Sequence, residues 1–335
     1  MLLELMSHSR RLSTSSTLNE GGSATASVAS PQTGRRLRLS TMDLNKMGQP
    51  NQPNVTLAAT DYDIVGSIVL YNTAAAEVAR AIELFRAVPL KTHLCVIDNS
   101  ARPLPLEFAH ENVSYHFVGD NLGYGRAHNL AIRAAHSRAR YNLVMNTDVI
   151  YEPAAVTRLF DYLQAHPAAG LAAPRILYPD RSLQYVCRLL PTPVDFFLRR
   201  FMPNSRWARR ANENYELRFW DHRSHANLAY FQGSFLMLRT ELANRLGGFD
   251  ERFFLYGEDI DLSRRVHAVA EAVYVPQAEV IHEYRRYSNT SWRGTWISIQ
   301  NNARYFNKWG WFIDRERRRI NRQVLHELQS STASK

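Results

Sequence analysis

Acidic and amide side chains close several of the apolar runs in this chain, in combinations suited to holding a phosphate ester. Asp98 and Asn99 end HLCVIDNS, Asn146, Thr147 and Asp148 follow YNLVM, and Asn72 follows IVGSIVLY. Nothing in core packing asks for a carboxylate at the end of a buried strand. Taken singly, Asp98 or Asp148 would serve as well as a helix cap or turn residue; together they favour a site. Asp148 suits a divalent cation, Mg2+ or Mn2+, because hard oxygen ligands hold such ions and the ion offsets the charge of a departing diphosphate. Asp98 suits a nucleoside hydroxyl or base edge, for which a carboxylate is an acceptor.

Further on, GGFDERFFLYGEDIDLSRRV sets Glu258, Asp259 and Asp261 at the start of a helical stretch. Acids there complement the helix dipole and its free amides, so capping explains them without further function. Yet Phe253, Phe254, Leu255 and Tyr256 can exclude water from the same place, and such surroundings raise a carboxylate toward the range of a general base. In VIHEY, His282 offers a neutral imidazole that would complete a metal site or fill a structural role. The segment NLGYGRAHN carries glycines at 123 and 125 that would let backbone approach a ligand, although a tight turn before a helix would look the same.

These residues need elements to carry them. Residues 7–59 are rich in Ser, Thr, Gly, Asn and Gln with little apolar periodicity, and read as a flexible tail. From Asp63 the pattern changes. IVGSIVLYN reads as a strand buried on both faces, Ala74–Val88 as a helix, and HLCVIDNS and VSYHFV as two more strands. The segment NLGYGRAHN then reads as a loop into the helix LAIRAAHSRA, YNLVMNTDV as a strand and AAVTRLFDYLQAH as a helix. The alternation predicts an α/β fold with an open, mostly parallel, Rossmann-like sheet and helices on both faces, whose ligand lies beyond the carboxyl ends of the strands. The expected organisation is a tail over 1–60, one domain over 61–312 and a basic helix or tail over 313–335. Within that domain, 61–150 forms a nucleotide-binding half and 151–312 an acceptor half.

A net charge of +10 over 335 residues favours phosphate-bearing partners. Two cysteines, Cys95 and Cys187, support neither a disulfide framework nor a cysteine zinc site. No run approaches the roughly 18 apolar residues of a membrane span, and the N-terminal apolar stretch is short for a secretory signal, so a cytoplasmic location is expected. The arginine and aromatic mixture in VDFFLRRFMPNSRWARR, with the basic RERRRINRQ, suits an anionic membrane surface, such as the inner face of the plasma membrane. A solvated helix face or core packing by the aromatics would give the same composition.

In their order along the chain, IVLYN, VIDNS, NLGYGRAHN, NTDV, GSFLMLR, GGFDERFFLYGEDIDLSRR and VIHEYRRYS resemble glycosyltransferase family 2, in particular its bacterial rhamnosyltransferase-like members. The likeness spans Asp63 to Trp311. It implies a GT-A fold, a divalent metal and inverting transfer from a dTDP- or UDP-linked sugar, with rhamnose the sugar that the likeness points to, onto a lipid-linked or oligosaccharide acceptor of the cell envelope. It also implies roles: Asp259 as base with Glu258 beside it, Asp148 and His282 on the metal, and Asn72, Asp98, Asn99, Gly123, Arg126, Asn129 and Asn146 around the donor. Asn146 stands where the family often has an acid, which makes the metal site less charged. Two other readings compete. A sugar-phosphate nucleotidyltransferase would carry a glycine-rich loop after the first strand, which IVLYNTAAAE lacks. A nucleic-acid-binding protein would explain the charge but not the acids at the strand ends, so no nucleic-acid partner is expected.

Overall fold

The computed structural model describes residues 55–58, 61–105, 110–202, 204–283 and 292–333. The chain first runs through β1 (Tyr62–Leu70), α1 (Ala75–Arg86), β2 (Thr92–Asp98), β3 (Val113–Phe117), α2 (Tyr124–Ala134), β4 (Ala139–Met145), β5 (Val149–Tyr151) and α3 (Pro153–Ala165). It continues with β6 (Ala169–Leu177), β7 (Cys187–Arg188), α4 (Pro193–Phe201), α5 (Arg206–Tyr215), β8 (Ala226–Asn227), β9 (Tyr230–Phe231) and β10 (Phe235–Arg239). The last elements are α6 (Thr240–Arg245), α7 (Glu258–His267), β11 (Glu271–His282), α8 (Trp292–Trp309) and α9 (Arg315–Ala333). Apart from 55–58, the tail expected over 1–60 lies outside the described residues.

Nine strands make one sheet in the order β3-β2-β1-β4-β10-β6-β11-β5, with β8 also on β11. β1, β2, β3, β4, β6 and β11 point one way, and β5, β8 and β10 the other. The sheet is therefore mixed but mostly parallel, as the alternation of apolar runs predicts. Every residue of β2 is buried, which is why that run is apolar on both faces. Val78, Ala81, Ile82 and Phe85 form the buried stripe of α1, and Ala155, Val156, Leu159, Phe160 and Leu163 that of α3. Each of the large side chains contributes roughly 1.5 to 3 kcal/mol of burial.

The topology fixes where a ligand can sit. From β1 the chain builds outward through β2 and β3, then returns to place β4 on the other side of β1. The crevice at such a switch lies beyond the carboxyl ends of β1 and β4, where Asn72 and Asn146–Asp148 stand. β10 lies antiparallel to β4, with Phe235 opposite Met145, so Gly233 and Ser234 sit at the same edge. β10 also pairs with β6, so segments from the expected nucleotide-binding and acceptor halves share one sheet.

One local expectation is corrected. α2 begins at Tyr124 rather than after Asn129, so Gly125, Arg126 and Asn129 are helical residues and not loop. The basic C-terminal stretch is docked through its apolar side, because Ile320, Val324 and Leu328, four residues apart, are buried in the core. Asp314, just before α9, accepts hydrogen bonds from both terminal nitrogens of Arg264 on α7 at 2.6 and 2.8 Å, and both side chains are buried. Removing one partner of such a pair leaves an uncompensated charge. Asp314→Ala is expected to lower unfolding free energy by about 3 kcal/mol, measured by urea denaturation.

Candidate active site

Asp98 closes β2 with its carboxylate fully engaged. It accepts hydrogen bonds from the amides of Ser100 (2.9 Å) and Leu104 (3.2 Å) and from the hydroxyl of Tyr115 (2.5 Å). Burial and the bond to Asp98 push the Tyr115 phenol up to about 12. These bonds fold Ser100–Pro105 beside a cavity of about 250 Å³, which Asp98 lines together with Leu70, Asn72, Ser100 and Arg102. Asn72, left-handed at φ 53°, is held there by Ser100 Oγ at 2.9 Å from its amide. Asn72 and Asp98 thus share one cavity.

Asn99 turns away from that cavity and donates to the carbonyl of Gly123 at 3.2 Å, tying the end of β2 to the start of α2. The glycine-bearing segment there meets protein where a ligand was expected. A side chain on Gly123, at φ 83°, would strike the carbonyl oxygen of Phe254 at 2.3 Å, and one on Gly125 would strike Phe249 Cβ at 2.7 Å. From the opposite side, Gly248 leaves room for Asn129, whose Oδ1 would lie 2.2 Å from an added Cβ. Asn129 accepts from the Phe249 amide (2.8 Å) and donates to the Phe249 carbonyl (2.8 Å) and Glu251 (3.1 Å). Its amide is spent on the fold, which corrects its expected contact with the donor. Arg126 faces Glu251 at 3.5 Å in the same junction. The glycines of the two motifs serve close packing of one motif on the other.

Asp148 lies between β4 and β5. Pairing of Val149 with His282 brings β11 alongside, and His282 Nε2 approaches Asp148 Oδ1 to 3.3 Å. Gln184 Nε2 donates to the carbonyls of His282 (2.6 Å) and Leu177 (3.2 Å), which leaves Gln184 Oε1 facing His282 Nδ1 at 3.3 Å. This network assigns the proton of a neutral imidazole to Nδ1 and turns the Nε2 lone pair toward Asp148. Asn146 Nδ2 stands 3.5 Å from the same Nε2. Among the described residues, no group of three His, Cys, Asp or Glu side chains converges as a metal site; Asp148 and His282 form a pair.

Asp259, in the first turn of α7, accepts from Tyr230 Oη (3.1 Å) and the Gly233 amide (3.2 Å) on Oδ2, and from the Ile260 amide (2.9 Å) on Oδ1. Burial raises its carboxyl, while these donors and the charge of Arg188 oppose the rise. Glu258 is buried, its Oε2 has no hydrogen-bond partner among the described residues, and burial followed by the charge of Asp259 raises it well above the ordinary value. Of the two, Asp259 is therefore the group that ionises first. A second cavity, about 340 Å³, opens at this point, lined by Tyr230, Gln232, Tyr256 and Ile260 among others.

Tyr124 joins the two acidic regions. Its hydroxyl lies 2.6 Å from the Gly233 carbonyl and 3.0 Å from Asn146 Oδ1, and burial raises its phenol, with Glu258, Asp259 and Asp148 adding to the rise. Residues 148 and 259 therefore act on one side chain, through Asn146 on one flank and Gly233 on the other. Tyr124 and Gly233 stand within stretches that the sequence highlighted, NLGYG and GSFLMLR, but without a role. Tyr115, Gln184 and Tyr230 carry no local signal, because their partners are remote in sequence.

Because Glu258 holds its proton more tightly in the folded than in the unfolded chain, its stability contribution is complete below the unfolded value, 4.5. It is lost as pH climbs toward the raised folded value. Glu258→Gln should match the parent chain in melting temperature at about pH 4 and exceed it by a growing margin as pH rises above about 5, as followed by calorimetry.

The sequence profile described as Glycosyl transferase family 2 matches residues 67–246. Over 180 residues the chain is 33% identical to N-acetylglucosaminyl-diphospho-decaprenol L-rhamnosyltransferase of Mycobacterium tuberculosis, covering 49% of this chain and 57% of that protein. Over 180 residues it is 27% identical to rhamnosyltransferase WbbL of Escherichia coli, covering 52% of this chain and 65% of that one. The chain thus spans less than two thirds of the length of these relatives. The crystal structure of GalNAc-T7 with UDP, GalNAc and Mn2+ superposes with a TM-score of 0.52 at 13% identity, over 75% of this chain and 49% of that chain, a likeness of fold. With the profile covering more than half of its residues on a GT-A sheet, the chain belongs to glycosyl transferase family 2.

Proposed function

We propose that this chain transfers one sugar, with inversion, from a dTDP- or UDP-linked donor to a hydroxyl of a lipid-linked glycan. The observation that carries the reading is the contact line from Asp259 through Gly233, Tyr124 and Asn146 to His282 and Asp148. It links a candidate base to a candidate metal pair through a short run of contacts. Asp98 and Asn72 would receive the nucleoside in the cavity at the ends of β1 and β2. Rhamnose as the sugar, and a lipid diphosphate carrier, follow from the names of the relatives.

Asp148 Oδ1 and His282 Nε2 suit a divalent ion, Mg2+ or Mn2+, since two acceptors face each other at 3.3 Å and Gln184 orients the imidazole. When bound, the ion would offset the charge of the departing nucleotide diphosphate. The rest of the step belongs to the protein. The acceptor oxygen attacks the anomeric carbon as its proton passes to Asp259 and the bond from that carbon to the diphosphate breaks. Asp259 Oδ1, with one backbone donor, keeps a lone pair for that proton, while Tyr230 and Gly233 fix Oδ2. Glu258, held neutral, spares the base a second adjacent negative charge.

The outer face of α4 supports placement at a membrane. Thr192 and Asp195 form a capping box that starts this helix, and Pro193 sits in its first turn. Val194, Phe197 and Phe201 then recur at helical spacing on the exposed side, with Met202 and Trp207 exposed beside them. No helix among the described residues is long and apolar enough to cross a bilayer. A peripheral contact with anionic lipid on the inner face of the plasma membrane accounts for an apolar face flanked by arginines.

Asp259→Asn should lower transfer by roughly 10²- to 10⁴-fold while calorimetric affinity for the nucleotide diphosphate stays within about twofold; retained turnover would remove Asp259 from the role of base. At low salt the chain should co-sediment with vesicles containing phosphatidylglycerol, and the double substitution Phe197→Glu and Phe201→Glu should abolish that binding without changing the thermal midpoint by more than a few degrees.

A further inference from the structure

The cavity beside Asp259 has a charged wall that neither the base nor the metal pair explains. Arg188, Arg199 and Arg218 all line it, and among the described residues Glu216 is the one lining carboxylate. Glu216 is buried, and all three guanidinium groups converge on it. Arg199 donates to Oε1, Arg188 lies 3.9 Å from Oε1, and Arg218 donates twice to Oε2 at 2.8 and 2.6 Å. Burial alone would raise this carboxyl, but Arg199 and Arg188 hold it below the ordinary value. Aromatic rings set the planes of two of the arginines: Arg199 lies 4.9 Å over Tyr215 and Arg218 4.8 Å over Tyr185. Three guanidinium groups held in place by aromatic rings and one buried carboxylate line a single cavity, an arrangement that suits a doubly charged oxyanion.

Its position narrows the ligand. Arg188 pairs with Tyr230 across β7 and β9, and Tyr230 donates to Asp259, so the cationic wall and the base share a boundary. Phe196 and Arg199 line the cavity from α4, the helix whose opposite face exposes Val194, Phe197 and Phe201. A molecule with an anionic group inside and an apolar chain outside fits both faces of that helix. We propose that Arg188, Arg199 and Arg218 bind the diphosphate joining the acceptor sugar to its lipid carrier, placing the sugar hydroxyls against Asp259. This rests on the glycosyl-transfer reading for the sugar and adds the subsite for its carrier.

Binding without turnover tests the subsite by itself. Farnesyl diphosphate, titrated calorimetrically into the full chain with no nucleotide sugar present, should bind and be displaced by inorganic pyrophosphate but not by farnesol. Arg218→Gln should weaken that affinity roughly ten- to a hundredfold, Arg218→Lys less, and Arg223→Gln, outside the cavity, not at all. Affinity for UDP and dTDP should be the same in all four proteins, which separates this diphosphate site from that of the donor. No binding by the parent chain, unchanged affinity in Arg218→Gln, or an equal loss for UDP would each overturn the proposal. A parent chain that binds farnesyl diphosphate through Arg218 yet transfers no sugar from any nucleotide donor would keep the subsite and remove the glycosyl-transfer reading.

Discussion

The candidate site depends on how closely the start of α2 approaches the turn that precedes α7. Tyr124 donates its amide to the Phe254 carbonyl at 2.9 Å, Gly123 and Gly125 have no room for a side chain against Phe254 and Phe249, and Asn129 fills the space above Gly248. A methyl group at any of these glycines would push the two segments apart, and Tyr124 would lose its reach to both Gly233 and Asn146. Gly257, left-handed at φ 97°, and Tyr256, at φ 72°, then bend the chain so that Glu258 and Asp259 enter the first turn of α7 beside that tyrosine. For a bulky non-glycine residue such as Tyr256 a positive φ is costly, and the packed turn around it is what sustains the conformation. Backbone contact between two glycine-bearing motifs thus determines the spacing between the acids.

How legible this was from the sequence varies with the range of the interaction. Strands β1, β2 and β4 and helices α1 and α3 follow from local periodicity, because burial on both faces or on one stripe leaves its mark on contiguous residues. The acids at the strand ends could also be read, since a carboxylate after a buried run is conspicuous. β10 offers no such clue to its place: an apolar FLMLR fits any central strand, and only the three-dimensional pairing inserts it antiparallel beside β4. At the start of α2, glycines 123 and 125 argue for loop on propensity, whereas tertiary packing requires small residues at a helix start. Gln184, which sets the tautomer of His282, lies 98 residues from it, and no spacing rule could have joined them.

Two kinds of carboxylate environment divide the work. Asp98 and Asp259 are each surrounded by three donors, so their oxygens are fixed in direction before any ligand arrives. Glu258 has a buried oxygen with no partner among the described residues, and desolvation favours its neutral form beside Asp259, which would have to be charged to act as the proposed base. Two ionised carboxylates side by side in so dry a place would each make the other harder to ionise. Separating them by hydrogen-bond supply rather than by distance lets adjacent residues of one helical turn hold different protonation states.

The strand ends and the loops beside them carry the groups that the proposed displacement uses. The Asp98 cavity lies at the ends of β1 and β2, Asp148 follows β4 and meets His282 at the end of β11, and Asp259 bonds to Tyr230 of β9 and to Gly233 just before β10. The arginine-walled cavity has Tyr230, the partner of Asp259, in its lining. In the proposed reaction a nucleotide at Asp98 and an acceptor at the arginine wall would bring the leaving oxygen and the attacking oxygen to opposite sides of the anomeric carbon. Such an approach would invert the anomeric centre in one step, and it needs one carboxylate as base for the acceptor. Asp259, whose Oδ1 carries one backbone donor, is the carboxylate proposed for that role. Gln184 touches both regions, since it orients His282 and also lines the arginine-walled cavity, so side chains as well as strands tie them together.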